Sequence, residues 1–187
     1  MNFHRACVCV LGFFVCSLAY AVPAKDSGFY LGGALGVTEL EDDGAFAGLN
    51  VDDSDSSIQI TGGYKISPNF AFEGRVSNLG DYTISGMGTV TIGVDVVSVH
   101  AVGILPVGED GFEFFGQLGF GRADLDTSCC GSDDETVGSA GIGVRYFASE
   151  HFAIGLQIDA YAYEDKSTGI TYDMGVATSQ VSFQYLF

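Results

Sequence analysis

The segment FAIGLQIDAYAY at residues 152–163 alternates apolar residues with polar or small ones, and this alternation decides the fold. Its apolar positions stand two apart: Phe152, Ile154, Leu156, Ile158 and Ala160. A period of two is typical of a β-strand that has one apolar face and one polar or small face. The same period recurs in residues 57–66, 70–79 and 174–187, so strands dominate the chain.

Eight segments of this kind, joined by connections of alternating length, follow one another along the chain. The predicted strands are 27–38, 57–66, 70–79, 90–105, 112–124, 136–147, 152–163 and 174–187. Three connections are tight: 67–69, 106–111 and 148–151. Four connections are long and acidic or polar: 39–56, 80–89, 125–135 and 164–173. This succession predicts one all-β domain of eight antiparallel strands.

The distribution of charge separates two architectures for eight such strands. A soluble sandwich covers its outer faces with charged residues, whereas these strands carry few charges on either face and the long connections carry many. An apolar exterior with a polar, glycine-rich interior is typical of a transmembrane β-barrel, whose strands need about 9–11 residues to cross a bilayer. We predict an eight-stranded antiparallel up-and-down transmembrane β-barrel. Its narrow interior accounts for 27 glycines among 187 residues.

The first 21 residues have the pattern of a secretory signal peptide. A short basic start precedes the almost wholly apolar segment 6–18, which is too short to cross a bilayer as a helix. Small residues near Ala21 predict cleavage after it, with cleavage after Ala24 as the alternative. We therefore expect an exported protein that consists of a signal peptide, 1–21, and a barrel domain, 22–187.

Charge and cysteine content exclude several classes of function. Seven Lys and Arg oppose 24 Asp and Glu, and the net charge of −17 argues against nucleic-acid binding, which needs a basic surface. Cys129 and Cys130 stand side by side, so they form neither a disulfide framework nor a zinc site, and we expect no metal or cofactor. Residues 52–55 (DDSD) lack the glycine and the terminal Glu of an EF-hand loop, which leaves only weak divalent-ion binding open.

Three stretches of the sequence carry a resemblance to a known family. They are GFYLGGA at 28–34, GGYK at 62–65 followed by NFAFE at 69–73, and the terminal Phe187 with Tyr185 and Phe183 at alternate positions. The chain resembles the OmpA-type small outer-membrane β-barrels over essentially its whole mature length. The resemblance extends to the barrel only, and we expect no peptidoglycan-binding domain of the kind that OmpA carries.

This resemblance implies a location, partners and a topology. The protein would lie in the cell outer membrane among lipids and lipopolysaccharide, after periplasmic chaperones deliver it to the outer-membrane assembly machinery. That machinery would read Phe183, Tyr185 and Phe187 as an assembly signal. Both termini and the three tight turns would be periplasmic, and the four long loops extracellular. An aromatic girdle would then follow the periplasmic rim: Tyr64, Phe70, Phe72, Phe112, Phe114, Tyr146, Phe147, Phe152, Tyr185 and Phe187.

The alternation also assigns charged residues to the interior face. These are Lys65, Glu73, Arg75, Glu113, Arg145 and Asp159, with Gln117, Gln157, Ser182 and Gln184 beside them. Three basic and three acidic residues make the lumen nearly neutral, and paired charge is tolerated where unpaired charge is costly. We predict a salt-bridged structural plug, closed to solutes and centred on Glu73, Arg75 and Arg145. Asp95 joins this face only through a bulge, because Asp95 and His100 cannot both point inward in a regular strand.

Three functions compete for such a barrel. The first is a non-enzymatic protein that supports the envelope or meets host molecules at its loops. The second is a lipid A-modifying enzyme, which needs a His beside a Ser or a carboxylate. Ser98 and His100 share a face, but they fall in the periplasmic half and reverse the His-x-Ser order of the deacylase family, and His151 lies in a tight turn. The third is a pore, which a filled eight-stranded lumen disfavours. We expect the non-enzymatic barrel, with the other two as alternatives.

Overall fold

A computed structural model describes residues 26–41, 50–52, 54–85, 89–108, 110–127, 131–165 and 172–187. The predicted signal peptide, 1–21, lies outside the described residues, and so do Cys129 and Cys130. The strands are β1 (Gly28–Glu41), β2 (Asn50–Asp52), β3 (Ser54–Ser67), β4 (Phe70–Ser85), β5 (Thr89–Val107), β6 (Phe112–Thr127), β7 (Gly131–Phe147), β8 (Phe152–Asp165) and β9 (Tyr172–Leu186). Within those ranges no helix is long and apolar enough to cross a membrane.

The strands close into an antiparallel barrel. Around the wall the order is β1, β3, β4, β5, β6, β7, β8 and β9, and β9 pairs again with β1 from Tyr30 with Leu186 to Glu41 with Gly175. The short β2 pairs with the end of β4 and continues the line of β3. Eight strands therefore make the wall, and the predicted eight-stranded antiparallel barrel is confirmed.

The two faces of the wall have the reverse of a soluble protein's character. Outward side chains are large and apolar, and Leu118 and Phe120 each keep 69% of their surface exposed. Inward side chains are often polar or charged, and Arg75 and Gln117 are buried. An apolar outer belt of this extent is unfavourable in water and favourable in lipid, which is the arrangement of a membrane barrel.

The strands extend further at the long-loop rim than the alternation predicts. β4 continues to Ser85 and β5 begins at Thr89, so most of the predicted loop 80–89 is strand. The same correction applies to the predicted loop 125–135, because β6 and β7 stay paired up to Thr127 with Gly131. Polar residues in these hairpins indicate strands exposed to water beyond the apolar belt, and polarity there does not mark the end of pairing.

A bulge interrupts the regular pairing of β4 with β5 at the long-loop rim. The register between β4 and β5 shifts between Asn78 and Asp81, and Gly80 within the bulge has φ of +96°, a conformation that favours glycine. Because of the extra residue, Leu79 and Tyr82 both point into the lumen. The bulge therefore supplies two large side chains to the interior at this rim.

The side chain of Asp55 holds this bulge in place. Its carboxylate accepts the backbone N–H groups of Asp81 and Ser56, each at 2.7 Å. These two hydrogen bonds hold the pKa of Asp55 below its usual value. Thr38 adds a hydrogen bond from its hydroxyl to the carbonyl of Leu79 at 2.9 Å. The Asp55 carboxylate thus stabilises the backbone at this rim, and each of its two oxygens already accepts a hydrogen bond.

Inward-facing glycines lie beneath large side chains of the neighbouring strand. In each of these pairs the glycine is the direct cross-strand partner: Gly32 with Gln184, Gly36 with Gln180, Gly63 with Tyr30, Gly119 with His100, Gly141 with Asp159, and Gly143 with Phe115. A Cβ atom at any of the six would come within 3.0 Å of a neighbouring atom. The glycines therefore make room for the interior side chains, which is the role that the narrow lumen predicts for small inward residues.

Aromatic side chains surround the barrel at the tight-turn rim. Ring centroids lie 4.6 Å apart for Phe29 and Tyr64 and 4.7 Å apart for Phe112 and Tyr146. Phe147 is an exception to the predicted girdle, because its side chain is buried in the lumen. Since neighbouring strand residues face opposite sides, Tyr146 and Phe147 cannot both join an outer girdle.

Candidate functional site

The lumen is filled, and apolar side chains form a layer near each of its ends. The long-loop layer consists of Leu79, Tyr82, Val94, Val96, Ala123, Val137, Tyr161 and Val176. The tight-turn layer consists of Tyr30, Ala71, Val102, Ile104, Phe115, Phe147, Ala153 and Leu186. Along β4 the inward residues run from Ala71 through Glu73, Arg75 and Ser77 to Leu79, so polar groups occupy the space between the layers.

One ionic cluster is embedded in the tight-turn layer. Lys65 donates to Glu113 Oε1 at 2.8 Å, and Arg145 Nε donates to Glu113 Oε2 at 2.7 Å. Arg145 also donates to the Gln184 side-chain oxygen at 2.9 Å. The Arg145 guanidinium lies 5.4 Å from the ring centroid of Phe115, within cation–π range. Both carboxylate oxygens of Glu113 are therefore satisfied by cations, as a buried carboxylate requires.

A second ionic cluster lies between the two apolar layers. Tyr30 donates its hydroxyl to Glu73 Oε1 at 2.7 Å, and Arg75 Nε donates to Glu73 Oε2 at 2.8 Å. Arg75 Nη2 also donates to Gln117, whose amide in turn donates to Asp159. These five residues come from β1, β4, β6 and β8, so the cluster ties distant parts of the wall across the lumen.

Hydrogen bonds continue from Asp159 around the wall. Gln157 donates to Asp159 Oδ2 at 2.8 Å and to the Gln180 side-chain oxygen at 2.9 Å. Gln180 then donates to the hydroxyl of Ser57 at 3.1 Å. This chain returns to β3, so the second cluster spans the barrel from β1 through β8 and β9 to β3.

The six charged residues that the alternation assigns to the interior all lie in these two clusters. The first cluster consists of Lys65, Glu113 and Arg145, and the second consists of Glu73, Arg75 and Asp159. Each of the six exposes at most 4% of its surface. The structure also adds partners that we did not predict. Tyr30 and Gln180 both lie at inward positions of regular strands, so the alternation could have identified them.

Asp95 lies on the outer face, because β5 has no bulge between Asp95 and His100 that would let both point inward. β5 pairs with β6 without a bulge from Ile92 to Val107, so Asp95 and His100 face opposite sides. His100 is buried, whereas Asp95 is exposed and accepts a hydrogen bond from the Asn78 amide at 2.9 Å. Asp95 is instead part of an outward acidic row near the long-loop rim, next to Asp124 on β6.

Ser98 and His100 do meet inside the barrel. The Ser98 hydroxyl lies 2.8 Å from His100 Nε2, within hydrogen-bond range. Both residues lie between the apolar layers, and each exposes about 3% of its surface or less. The pair has the contact of a nucleophile and a base, and its side chains are enclosed in the lumen, away from the lipid-facing surface.

The described residues contain no group of three or more His, Cys, Asp or Glu side chains arranged to hold a metal ion. Asp55, the part of the acidic DDSD segment that the structure describes in detail, directs its carboxylate to backbone donors. The weak divalent-ion binding that the sequence leaves open for the first loop also involves Asp42, Asp43 and Asp53, which lie outside the described ranges.

Comparisons with known proteins agree with this architecture. Residues 6–187 match the sequence model of a protein family that is described as "Outer membrane protein beta-barrel domain". Neisserial surface protein A, NspA, has a similar structure with a TM-score of 0.64 and 13% identity, covering 87% of this chain and 100% of that one. OprG from Pseudomonas aeruginosa reaches a TM-score of 0.54 with 16% identity, covering 90% of this chain and 98% of that one.

A third similar structure is Ail, the attachment invasion locus protein of Yersinia pestis. Its TM-score is 0.51 with 16% identity, covering 88% of this chain and 99% of that one. Ail has also been solved in complex with the heparin analogue sucrose octasulfate. A comparison with curated proteins finds no match. At these identities the similar structures establish the fold alone.

Proposed function

The chain belongs to the outer membrane β-barrel family, and we propose that it serves there as a non-enzymatic barrel with a closed lumen. In this proposal the barrel supports the envelope, or presents its acidic loops for a surface interaction. The observation that carries the proposal is the filled lumen, in which two ionic clusters occupy the interior and apolar layers lie toward both ends.

The proposed orientation has both termini and the tight turns in the periplasm. Support comes from the asymmetry of the two rims, because the paired strands continue beyond the apolar belt at one rim and end in tight turns at the other. Longer extracellular segments and short periplasmic turns are typical of outer-membrane barrels. The aromatic contacts of Phe29 with Tyr64 and of Phe112 with Tyr146 gather at the tight-turn rim, as an interfacial girdle would. Protease digestion of intact cells tests the orientation, since only an extracellular loop is cut from outside.

A closed lumen predicts that the barrel does not conduct. The ionic clusters leave Arg75, Glu113 and Asp159 almost wholly buried, and passage of a solute would have to separate them. Single-channel recording of the purified protein in planar bilayers is the direct test. We expect no stable conductance steps, and large, long-lived steps would contradict the proposal in favour of a pore.

The enzyme alternative depends on the pair Ser98 and His100. Their hydrogen bond of 2.8 Å favours it, but their burial in the lumen keeps them from a lipid in the outer leaflet. Incubation of the purified barrel with lipid A, followed by mass spectrometry, tests this alternative. We expect an unchanged acyl count, and a changed count that is abolished by Ser98→Ala would establish catalysis.

The two forms of the proposed function are separable in cells. A deletion strain is compared with its parent for sensitivity to detergent and for adhesion to a surface. Loss of detergent resistance alone indicates support of the envelope, whereas loss of adhesion alone indicates surface interaction. A strain that differs from its parent in neither property, under conditions in which the protein is expressed, would contradict both forms.

A further inference from the structure

Two outward-facing glycines, Gly62 on β3 and Gly74 on β4, are direct cross-strand partners that the packing of the barrel does not require. A Cβ atom at Gly62 would lie 3.5 Å from Leu31 Cδ2, and one at Gly74 would lie 3.9 Å from the carbonyl oxygen of Gly62. Both are ordinary contacts, unlike those beneath the six inward glycines. Glycine inside a strand weakens it and often marks a place where a ligand approaches the backbone closely.

The two glycines form the floor of a groove on the outer face of the wall. The groove has a volume of about 950 Å³. The side chains of Phe29, Tyr64 and Phe72 are exposed and follow one another across β1, β3 and β4 as a ridge on its tight-turn side. Toward the long-loop rim the next outward residues of β3 and β4, Ile60 and Val76, are again large and exposed. The glycine pair therefore leaves the backbone bare between bulkier neighbours.

The groove follows a cross-strand row over five neighbouring strands: Leu31, Gly62, Gly74, Val99 and Phe120. Adjacent strands lie about 4.8 Å apart, so the row is about 19 Å long. Leu31 stands three residues from the tight-turn end of β1 and Phe120 eight residues from that of β6, so the row climbs away from the tight-turn rim.

The rise of the groove matches the depth of one leaflet. Because strands of such barrels tilt by about 45°, a row across them is also tilted by about 45° and rises by about 13 Å along the membrane normal. Half of a hydrocarbon core of about 30 Å is about 15 Å. A chain that lies in the groove therefore runs from the interface at the tight-turn rim to the middle of the bilayer.

We propose that the groove binds one acyl chain of a glycerophospholipid from the leaflet on the tight-turn side. The space between the ridge and the next large residues corresponds to a missing row of aliphatic side chains, which is the width of one hydrocarbon chain. The convex wall of a second barrel would meet the ridge before it reached the floor. The exposed Tyr64, with its hydroxyl near the tight-turn end of the groove, marks the interface at which the lipid headgroup would lie. The proposal depends neither on the orientation of the barrel nor on its closed lumen.

The experiment uses a phospholipid as a photochemical probe. The protein purified from outer membranes is reconstituted in phosphatidylethanolamine and phosphatidylglycerol vesicles, with a trace of phosphatidylethanolamine that carries a diazirine at the methyl end of one acyl chain. After illumination, peptide mass spectrometry identifies the residues into which the diazirine has inserted. We expect insertion to concentrate on β5 and β6, around Val99 and Phe120. A lipid without a preferred position would mark every strand at this depth.

The variant Gly74→Val fills the floor of the groove. We expect it to lower insertion around Val99 and Phe120 several-fold. Ala162→Val is the control, because Ala162 is exposed on the outer face of β8, on the opposite side of the barrel. Since a Cβ atom fits at Gly74 and strands favour valine, Gly74→Val should be at least as stable in urea as wild type. Lost insertion with undiminished stability separates a filled groove from a misfolded barrel, and Gly74→Ala supplies the same comparison if the valine variant does not fold.

Three results would overturn the proposal. One is insertion spread evenly over the eight strands of the wall. Another is insertion around Val99 and Phe120 that is unchanged in folded Gly74→Val, or that falls equally in Ala162→Val. The third comes from sedimentation in detergent: a wild-type dimer that Gly74→Val dissociates would assign the groove to a second copy of the chain.

Discussion

Adding one methyl group at Gly63 should destabilise the barrel, whereas the same change at the adjacent Gly62 should not. A Cβ atom at Gly63 would lie 2.3 Å from Cζ and 2.5 Å from the hydroxyl of Tyr30. Tyr30 cannot easily move, because its hydroxyl donates to Glu73 at 2.7 Å. At Gly62 the nearest atom to a new Cβ is Leu31 Cδ2 at 3.5 Å, an ordinary contact on the outer face.

The expected difference follows from the contacts. Overpacking of an interior costs about 1–3 kcal/mol, and loss of a hydrogen bond to a charged group costs about 1.5–3 kcal/mol. Gly63→Ala should therefore lower the free energy of unfolding by about 3 kcal/mol. Gly62→Ala removes the conformational freedom of a strand glycine and should raise it by about 0.5–1 kcal/mol.

Unfolding of both variants is measured in urea, in the same lipid vesicles. The chain has no tryptophan, so far-ultraviolet circular dichroism and the heat-modifiable migration of folded barrels on a gel report the folded fraction. The double variant Tyr30→Ala with Gly63→Ala is the internal control, since the methyl group then meets no ring. Equal midpoints for Gly62→Ala and Gly63→Ala, or an undiminished cost of the methyl group in the Tyr30→Ala background, would refute the packing argument.

Four further outcomes are expected. Arg75→Ala should lower the free energy of unfolding by about 3–5 kcal/mol, because it leaves two buried carboxylates without their cation; the outward Arg122→Ala is the matched control, and equal stability of the two variants would count against the plug. Deletion of Phe187 should reduce the amount of heat-modifiable barrel in cells, and an unchanged folded yield would argue against an assembly signal at Phe183, Tyr185 and Phe187. Asp55→Ala should be less stable than wild type at neutral pH. Because the folded pKa of Asp55 lies below the unfolded value of about 4, this difference in stability is fully present above pH 4 and is lost as the pH falls through the folded pKa. A stability difference that grows in acid would be inconsistent with the rim contacts. The barrel should pass through a heparin column at low salt, unlike a protein with a basic surface, because its net charge is −17, and retention would disprove a purely acidic surface.

The interior charges were predictable where the strand around them is regular. Glu73 and Arg75 sit two residues apart on β4, well before its bulge, and strict alternation gives them one face. Asp95 could not be assigned, because residues 94–99 (VDVVSV) are apolar at both odd and even positions and do not reveal the phase of the strand. The pairing of β5 with its two neighbours decides that His100 faces inward, opposite Glu73 on β4 and Gly119 on β6.

The apolar layers of the lumen could not be recognised in the sequence. Val94 and Val96 look like lipid-facing residues when only their hydrophobicity is considered, yet both are buried inside. Leu79 reaches the interior through the bulge at Gly80, which depends on the distant side chain of Asp55. Local periodicity carries no information about such tertiary contacts, and for this reason the sequence predicts the ionic part of the plug and misses its ends.

The pairing of opposite charges in the lumen also determines how the barrel responds to voltage. The cluster of Lys65, Glu113 and Arg145 carries one excess positive charge, and the cluster of Glu73, Arg75 and Asp159 carries one excess negative charge. Moving a single charge across a membrane potential of 100 mV changes its electrical energy by about 2.3 kcal/mol. When the two clusters move together, the electrical work on the positive cluster and that on the negative cluster cancel. Movement of the plug as a unit therefore carries no gating charge, and the membrane potential does not favour any position of it.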